Sequence, residues 1–185
     1  MGFVTQRLRL WVAGPSDAAD MLDYYRRNRE HLEAWEPQRH SDFYTLAWWT
    51  QYLELSVQES VRGLTHRLAI ATRDASGPPV IGVLNVSNIV RGVFQGAHIG
   101  YSIDRDQQGK GYMTEALMGV QRFAFGELGL HRLMANYIPT NLASARALEK
   151  AGFEKEGFAR QYLLIGGQWR DHVLTARIRE EDPRD

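Results

Sequence analysis

The chain has 185 residues, 44% of them hydrophobic and 24% charged, and its 22 basic and 22 acidic side chains give a formal net charge of zero. This length suits one domain with a buried core, and the ordinary composition argues against disorder. The charge balance offers no large basic surface for nucleic acid or an anionic membrane. The absence of cysteine excludes disulfides, thiolate metal ligands and a cysteine nucleophile.

The first predicted elements are a strand and two helices. Residues 7–11 alternate between apolar and polar, as in a strand. Pro15-Ser16-Asp17 offers the cap of a helix that runs toward Trp35, where Pro37 stops it. A second helix is predicted over residues 45–61.

The middle of the chain changes from strand-like to helical periodicity. Strands are predicted over residues 68–72, 80–86 and 97–103, and residues 75–79 form the one plausible linker turn. From Gly111 onward, apolar residues recur at the spacing of an amphipathic helix. They are Met113, Ala116, Leu117, Val120, Phe123, Ala124 and Leu128.

The C-terminal part predicts a strand over 132–138, a helix over 141–151 and a hairpin of strands 158–165 and 169–178. The order of elements predicts an α/β domain with a mixed central sheet of about seven strands and about four helices. Residues 1–185 are expected to form this single domain, with roughly the last eight as a tail.

Targeting and metal signals are absent from the sequence. No stretch approaches the ~18 apolar residues of a membrane span, and the N-terminus has no apolar signal region. No spacing of His, Asp and Glu suggests a metal site. We therefore expect a cytoplasmic protein without a membrane or nucleic-acid partner.

The segment that carries chemistry is the loop between the strand ending at Ile103 and the helix from Gly111. A strand, a glycine loop and a helix N-terminus form a cradle for a pyrophosphate, because backbone N–H groups and the helix dipole favour anions. Lys110 adds a cation to this loop. The alternative is that Gly109 and Gly111 only form a turn, because short glycine motifs are weak signals.

Two common phosphate-binding motifs do not fit this loop. The dinucleotide fingerprint needs a third glycine where Thr114 stands, and the P-loop pattern is absent. The loop instead resembles the acetyl-CoA loop of the GNAT acetyltransferases, Gln/Arg-x-x-Gly-x-Gly/Ala. Gln108 and Gly111 match its first and fourth positions, and Met113 departs at the last.

The resemblance continues in residues 140–153, which look like the GNAT helix that faces the pantetheine arm and the thioester. Many members of the family carry a tyrosine, which protonates the leaving thiolate, where this chain has Leu148. Ser144 is our candidate substitute, and Asn141 is expected both to cap the helix and to face the cofactor. The resemblance implies acetyl-CoA as cosubstrate, held by Tyr101, Ser102, Ile103, Gln108, Gly109, Lys110, Gly111, Tyr112, Met113, Thr114, Asn141 and Ser144.

Segments outside the loop resemble the RimJ-like ribosomal-protein-alanine N-acetyltransferases over most of residues 7–175. They include Trp35-Glu36-Pro37, Ser87-Asn88, Val90-Arg91-Gly92 and the run from Gln168 to Leu174. The resemblance implies that the partner is a protein N-terminus, with acetyl transferred to the α-amino group of an N-terminal alanine on a small-subunit ribosomal protein. Trp35, Asn88, Arg91 and Tyr162 are the predicted acceptor contacts.

The chemistry requires a base, an oxyanion donor and an acid. His98 lies on the strand whose N–H groups are expected to hold the oxyanion, at a position where relatives often carry glutamate. It is a candidate base, or else a half-buried strand histidine satisfied by a neighbour. Glu36 and Glu156 are alternative bases, and a water relay would also suffice. The missing cysteine predicts direct transfer within a ternary complex.

Two other functions stay open at the level of the sequence. The chain could acetylate a small amine, such as a polyamine, an amino sugar or an antibiotic. It could also be a non-catalytic acyl-CoA sensor or ribosome-assembly factor that keeps the loop without turnover.

Overall fold

The computed structural model describes residues 1–74 and 78–180, which form an eight-stranded sheet and five α-helices. The predicted linker and C-terminal tail fall partly on residues 75–77 and 181–185, which lie outside the described residues. The strands are β1 Gly2–Val4, β2 Leu8–Val12, β3 His66–Thr72, β4 Gly82–Val90, β5 Gly96–Ile103, β6 Arg132–Tyr137, β7 Glu154–Ile165 and β8 Gln168–Ile178. The helices are α1 Ala18–Arg27, α2 Arg29–Glu33, α3 Leu46–Val61, α4 Tyr112–Arg122 and α5 Leu142–Lys150.

The sheet has the strand order β1-β2-β3-β4-β5-β6-β8-β7. All neighbours are antiparallel except β5 and β6, which are parallel. These two strands pair from Gly96 with Arg132 to His98 with Met134. Beyond His98 their ladder stops, so the backbone of β5 from Ile99 to Ile103 faces a gap in the middle of the sheet. We call this opening the β5–β6 gap.

The core lies on both faces of the sheet. Leu68 and Ile70 of β3 belong to the cluster that packs under α4 and α5, whereas Ala69 belongs to the cluster under α1 and α3. Alternate residues of a strand point to opposite faces, so one strand supplies both clusters. The α/β class with a mixed sheet is confirmed. Within the described part of the chain, no helix is long and apolar enough to cross a membrane.

The structure corrects two details of the sequence prediction. The sheet has eight strands rather than seven, because Gly2–Val4 pairs with β2. The helix predicted to run from Pro15 toward Trp35 is broken at Asn28, so there are five helices rather than four. The Asn28 side chain donates to the Tyr24 carbonyl at 3.0 Å and accepts from the Arg105 N–H at 3.0 Å. A buried amide that binds backbone groups in this way competes with the helix ladder.

Candidate active site

A cleft of about 420 Å³ lies where the β5–β6 gap meets the N-termini of α4 and α5. Most of the predicted cofactor-binding residues line it, so the structure brings the loop and the distant helix together. The lining residues are His31, Leu32, Trp35, Glu36, Tyr101, Ser102, Ile103, Gln107, Gln108, Gly109, Gly111, Tyr112, Met113, Thr114, Asn141, Ala143, Ser144, Arg146, Ala147 and Lys150.

The N-terminus of α4 presents backbone donors to this cleft. Gly109 and Gly111 have φ values of +74° and +79°, in the left-handed region that glycine tolerates best. The first bond of the helix runs from the Glu115 N–H to the Gly111 carbonyl at 3.1 Å. The preceding N–H groups of the first turn have no hydrogen-bond partner within residues 1–74 and 78–180. The arrangement fits an anion such as a pyrophosphate.

The cations of the cleft differ from the one expected. The Lys110 ammonium donates to Gln107 Oε1 at 2.9 Å, and Lys110 is not among the lining residues given above. Arg146 and Lys150 of α5 supply the basic side chains of the cleft instead, and His31 of α2 also lines it. Sequence reasoning missed these three residues. Arg146 and Lys150 lie four residues apart on one face of α5, a spacing that would have indicated them.

The N-terminus of α5 carries the candidate acid. Asn141 Oδ1 accepts from the Ser144 N–H at 3.0 Å, which confirms Asn141 as the N-cap. The Ser144 hydroxyl lies 2.7 Å from the Tyr101 hydroxyl on β5. Burial raises the pKa of Tyr101 well above its ordinary value despite the contact with Ser144, so the phenol keeps its proton. A Tyr101 hydroxyl that donates to Ser144 Oγ leaves the serine proton free for a group in the cleft.

The residue in the place of the usual tyrosine acid does not reach the cleft. Leu148 is 1% exposed and packs in the core under α5. Its aliphatic side chain has no proton to donate. Ser144 lies one turn before Leu148 on α5 and lines the cleft, so its hydroxyl is the candidate acid that this helix offers.

A second cavity of about 520 Å³ adjoins the cleft, and both are lined by Leu32 and Glu36. The Glu36 carboxylate pairs with Arg39 at 2.8 Å, and its carbonyl accepts from the Gly166 N–H at 3.1 Å. The turn between β7 and β8 thereby closes one side of this cavity. Its lining residues are Tyr25, Arg29, Leu32, Glu33, Glu36, Pro37, Gln38, Arg39, Tyr44 and Gly166.

The candidate bases lie at unequal distances from these cavities. Glu36 is part of the shared wall. His98 is half-buried on β5, three residues before Tyr101, which is roughly 10 Å at the rise of a strand. Its Nδ1 is buried without a hydrogen-bond partner among the described residues, and burial lowers its pKa. Glu156 is ion-paired with Arg132 and lines neither cavity.

Of the predicted acceptor contacts, only Trp35 lines the cleft. Asn88 is exposed at an irregularity of β4, with φ +50°. Arg91 donates to the Leu128 carbonyl beyond the end of α4. Tyr162 on β7 accepts a long hydrogen bond from Asn136, at 3.5 Å. The structure brings none of these three to either cavity, and their part in acceptor binding stays a prediction.

The described ranges, 1–74 and 78–180, contain no group of three His, Asp or Glu side chains arranged to hold a metal ion. The chemistry offered by the cleft is that of backbone donors, hydroxyl groups and a carboxylate.

Comparison with known proteins assigns this architecture. Residues 7–154 match the model of the acetyltransferase (GNAT) domain. The chain is 42% identical to the [ribosomal protein uS5]-alanine N-acetyltransferase of Escherichia coli strain K12, over 93% of this chain and 88% of that protein.

Solved structures agree with the sequence relatives. The ribosomal-protein-S5-alanine acetyltransferase of Vibrio fischeri superposes with a TM-score of 0.90 at 39% identity, covering 96% of both chains. Mycobacterium smegmatis RimJ, solved with CoA-disulfide, superposes with a TM-score of 0.89 at 28% identity, covering 98% of this chain and 88% of that one. The chain thus belongs to the GNAT family and is an acetyl-CoA-dependent N-acetyltransferase.

Proposed function

We propose that this enzyme acetylates the α-amino group of an N-terminal alanine, and that its acceptor is a small-subunit ribosomal protein. The observation that carries the proposal is the pair of adjoining cavities, one at the anion-binding end of α4 and one behind Glu36. The similarity to the uS5-alanine enzyme of Escherichia coli supports this acceptor, because it extends over 93% of the chain and so includes the walls of both cavities.

The cleft is the proposed site of acetyl-CoA. The free N–H groups at the start of α4 suit the pyrophosphate, and Arg146 and Lys150 add positive charge nearby. The unpaired edge of β5 beside the β5–β6 gap suits the amides of the pantetheine arm, which can pair with it as a strand would. In this proposal the thioester lies near Tyr101 and Ser144, between the two helix N-termini.

The second cavity is the proposed site of the acceptor chain. An N-terminal amine that enters from it meets Glu36 first, because Glu36 belongs to both cavities. The carboxylate suits an incoming ammonium group and can take a proton from it directly or through water. We therefore propose Glu36 rather than His98 as the group that faces the amine.

The transfer itself needs few groups from the protein. The amine attacks the thioester carbonyl, whose developing negative charge is stabilised by a backbone N–H of β5 beside the gap. The C–S bond breaks, and Ser144 delivers a proton to the departing sulfur. Glu36 accepts the amine proton, and water carries a proton from Glu36 back to Ser144, so the reaction balances without a covalent intermediate on the enzyme.

The test is a thiol-release assay with acetyl-CoA and a set of acceptors. We expect turnover on a peptide that begins with alanine, and none on the same peptide with its α-amino group already acetylated. Polyamines and amino sugars form the second arm of the assay. Turnover confined to that arm would refute the acceptor class, and tight CoA binding without turnover on any acceptor would refute catalysis.

A matched pair of variants tests the role of Glu36. Glu36→Gln keeps the size of the side chain and removes its charge, and should lower kcat/KM for the peptide by at least roughly tenfold. Glu33→Gln is the control, because Glu33 lines only the second cavity. Equal losses in the two variants would show that the cavity needs negative charge in general and not a base at Glu36.

A further inference from the structure

We propose that Arg7 is a positioning residue for acetyl-CoA, which acts by holding the peptide unit between Lys110 and Gly111 so that its N–H points into the cleft. The proposal rests on the proposed location of the pyrophosphate at α4. Arg7 lies just before β2, more than a hundred residues from the loop in sequence, and it is not among the residues that line the cleft.

The Arg7 guanidinium group contacts both the loop and the first turn of α4. Nη1 donates to the Lys110 carbonyl at 3.0 Å, and Nε donates to Glu115 Oε2 at 2.7 Å. The backbone N–H of Arg7 also donates to Glu115, to Oε1 at 2.7 Å. A planar guanidinium can bridge two acceptors in this fixed geometry, which a single ammonium cannot reproduce.

The contact with the Lys110 carbonyl determines the direction of the next backbone donor, the N–H of Gly111. In a trans peptide the C=O and the following N–H point in opposite directions. The carbonyl of Lys110 is turned toward Arg7, so the N–H of Gly111 is turned away from Arg7. Gly111 lines the cleft, and its N–H has no partner among residues 1–74 and 78–180. Arg7 thus fixes one of the donors that would meet the pyrophosphate.

Glu115 makes this arrangement rigid because it is part of α4 itself. Its carboxylate also accepts from Thr5 Oγ1 at 2.5 Å, so three donors from the segment before β2 meet one side chain of the helix. The guanidinium lies over the Tyr112 ring, 4.7 Å from its centre. The loop between Lys110 and the first turn of α4 is therefore held from outside the cleft.

The contacts of Arg7 go beyond the ion pair. The Arg7 side chain is 45% exposed and that of Glu115 17%, so solvent screens the pair in part, and the bond to the Lys110 carbonyl is made in addition to it. Within residues 1–74 and 78–180, Arg9 makes no hydrogen bond of the kind that Arg7 makes to a main-chain carbonyl beside the proposed phosphate site. Arg9 is exposed on β2 and stacks on Trp11 at 4.2 Å.

The experiment compares acetyl-CoA with S-acetylpantetheine, which carries the same thioester but no pyrophosphate. Arg7→Met should lower kcat/KM for acetyl-CoA by at least about tenfold and leave kcat/KM for S-acetylpantetheine within about twofold of wild type. Arg9→Met, the matched control two residues along the chain, should change neither. Arg7→Lys should resemble Arg7→Met, because charge is kept and the bridging geometry is lost.

The outcomes separate this proposal from the proposed function. If wild type does not favour acetyl-CoA over S-acetylpantetheine, the pyrophosphate site at α4 is wrong. If wild type favours acetyl-CoA and Arg7→Met keeps that preference, only the role of Arg7 is overturned. Equal losses on both thioesters would show a structural role, and full activity in Arg7→Lys would show that charge rather than orientation matters.

Discussion

Replacing Ser144 with alanine removes one hydroxyl from the wall of the cleft and leaves the backbone of α5 in place. The Ser144 N–H still donates to Asn141 Oδ1, so the helix cap is kept. What is lost is the 2.7 Å contact with the Tyr101 hydroxyl and the proton that Ser144 can offer to the departing sulfur. A free thiol has a pKa of about 8.5, so its thiolate gains from protonation as it leaves.

Two magnitudes follow from this geometry. Loss of an acid lowers kcat by roughly ten- to a thousandfold, with little change in the affinity for acetyl-CoA. The folded protein also loses a hydrogen bond to a largely enclosed phenol, which costs about 1–3 kcal/mol of the free energy of unfolding if water does not replace it. In Tyr101→Phe, Ser144 keeps its proton and faces the cleft, so kcat should fall less than in Ser144→Ala.

The assays are initial-rate kinetics with an alanine-terminal peptide, calorimetric titration with CoA, and denaturant unfolding of the single and double variants. The double variant should unfold with a free energy closer to that of Tyr101→Phe than additivity predicts, because the two hydroxyls are partners. A kcat for Ser144→Ala within about twofold of wild type, together with a severe loss in Asn141→Ala, would refute the acid role. Ser144 would then be only the third residue of a capped helix.

Three further predictions concern the cofactor loop, the kinetic order and pH. Gly111→Val should weaken acetyl-CoA binding at least tenfold, about 1.4 kcal/mol by calorimetry. The reason is that Gly111 has φ +79° and that a Cβ there would lie 3.4 Å from Arg7 Nη2. The control is Gly63→Val, which should bind acetyl-CoA normally, because Gly63 has a similar φ of +69° but open space around it. Initial-rate plots against both substrates should intersect, since there is no cysteine to carry the acetyl group, and parallel lines would contradict direct transfer. Burial alone would raise the pKa of Asp104, but hydrogen bonds from Arg27 and the Asp106 N–H outweigh it and hold this pKa below its ordinary value. The carboxylate's contribution is therefore complete above about pH 5 and is lost as the pH falls through about 3.9 toward the folded-state pKa. Asp104→Asn should lower the free energy of unfolding by about 1–3 kcal/mol near pH 7. Between about pH 6 and 3.5 the variant should lose less further stability than wild type. Parallel pH profiles of the two proteins would exclude the Asp104 carboxylate as a source of the pH dependence.

The sequence was most informative where a structure depends on neighbours in the chain. The apolar spacing from Met113 to Val120 predicted the buried face of α4, and Gly111 adopts the left-handed conformation expected before a helix in such a loop. Asn141 caps α5, and Gly152 ends it with φ +81°. These features follow from backbone sterics and from hydrogen bonds between residues three to five apart, which a sequence states directly.

Local sequence patterns were a poor guide where a side chain makes its contact with a residue that the pattern does not include. The helix expected to run from Pro15 toward Trp35 ends at Asn28, since that amide also binds the N–H of Arg105, 77 residues away. Lys110 was the expected phosphate cation because it is in the loop, yet its ammonium lies against Gln107. The sequence shows that a lysine lies in the loop, but it does not show which way the Lys110 side chain points.

The sequence by itself determined the α/β class, the family resemblance and the two helix N-termini that line the cleft. Only the tertiary structure decided which side chains meet there. Tyr101 reaches Ser144 across 43 residues, and Arg7 reaches Glu115 across 108. Such pairs depend on strand order and on where β6 leaves β5, both set by the packing of two cores on the sheet. No local pattern contains that information, because the free energy of these contacts is gained only after distant segments have been brought together.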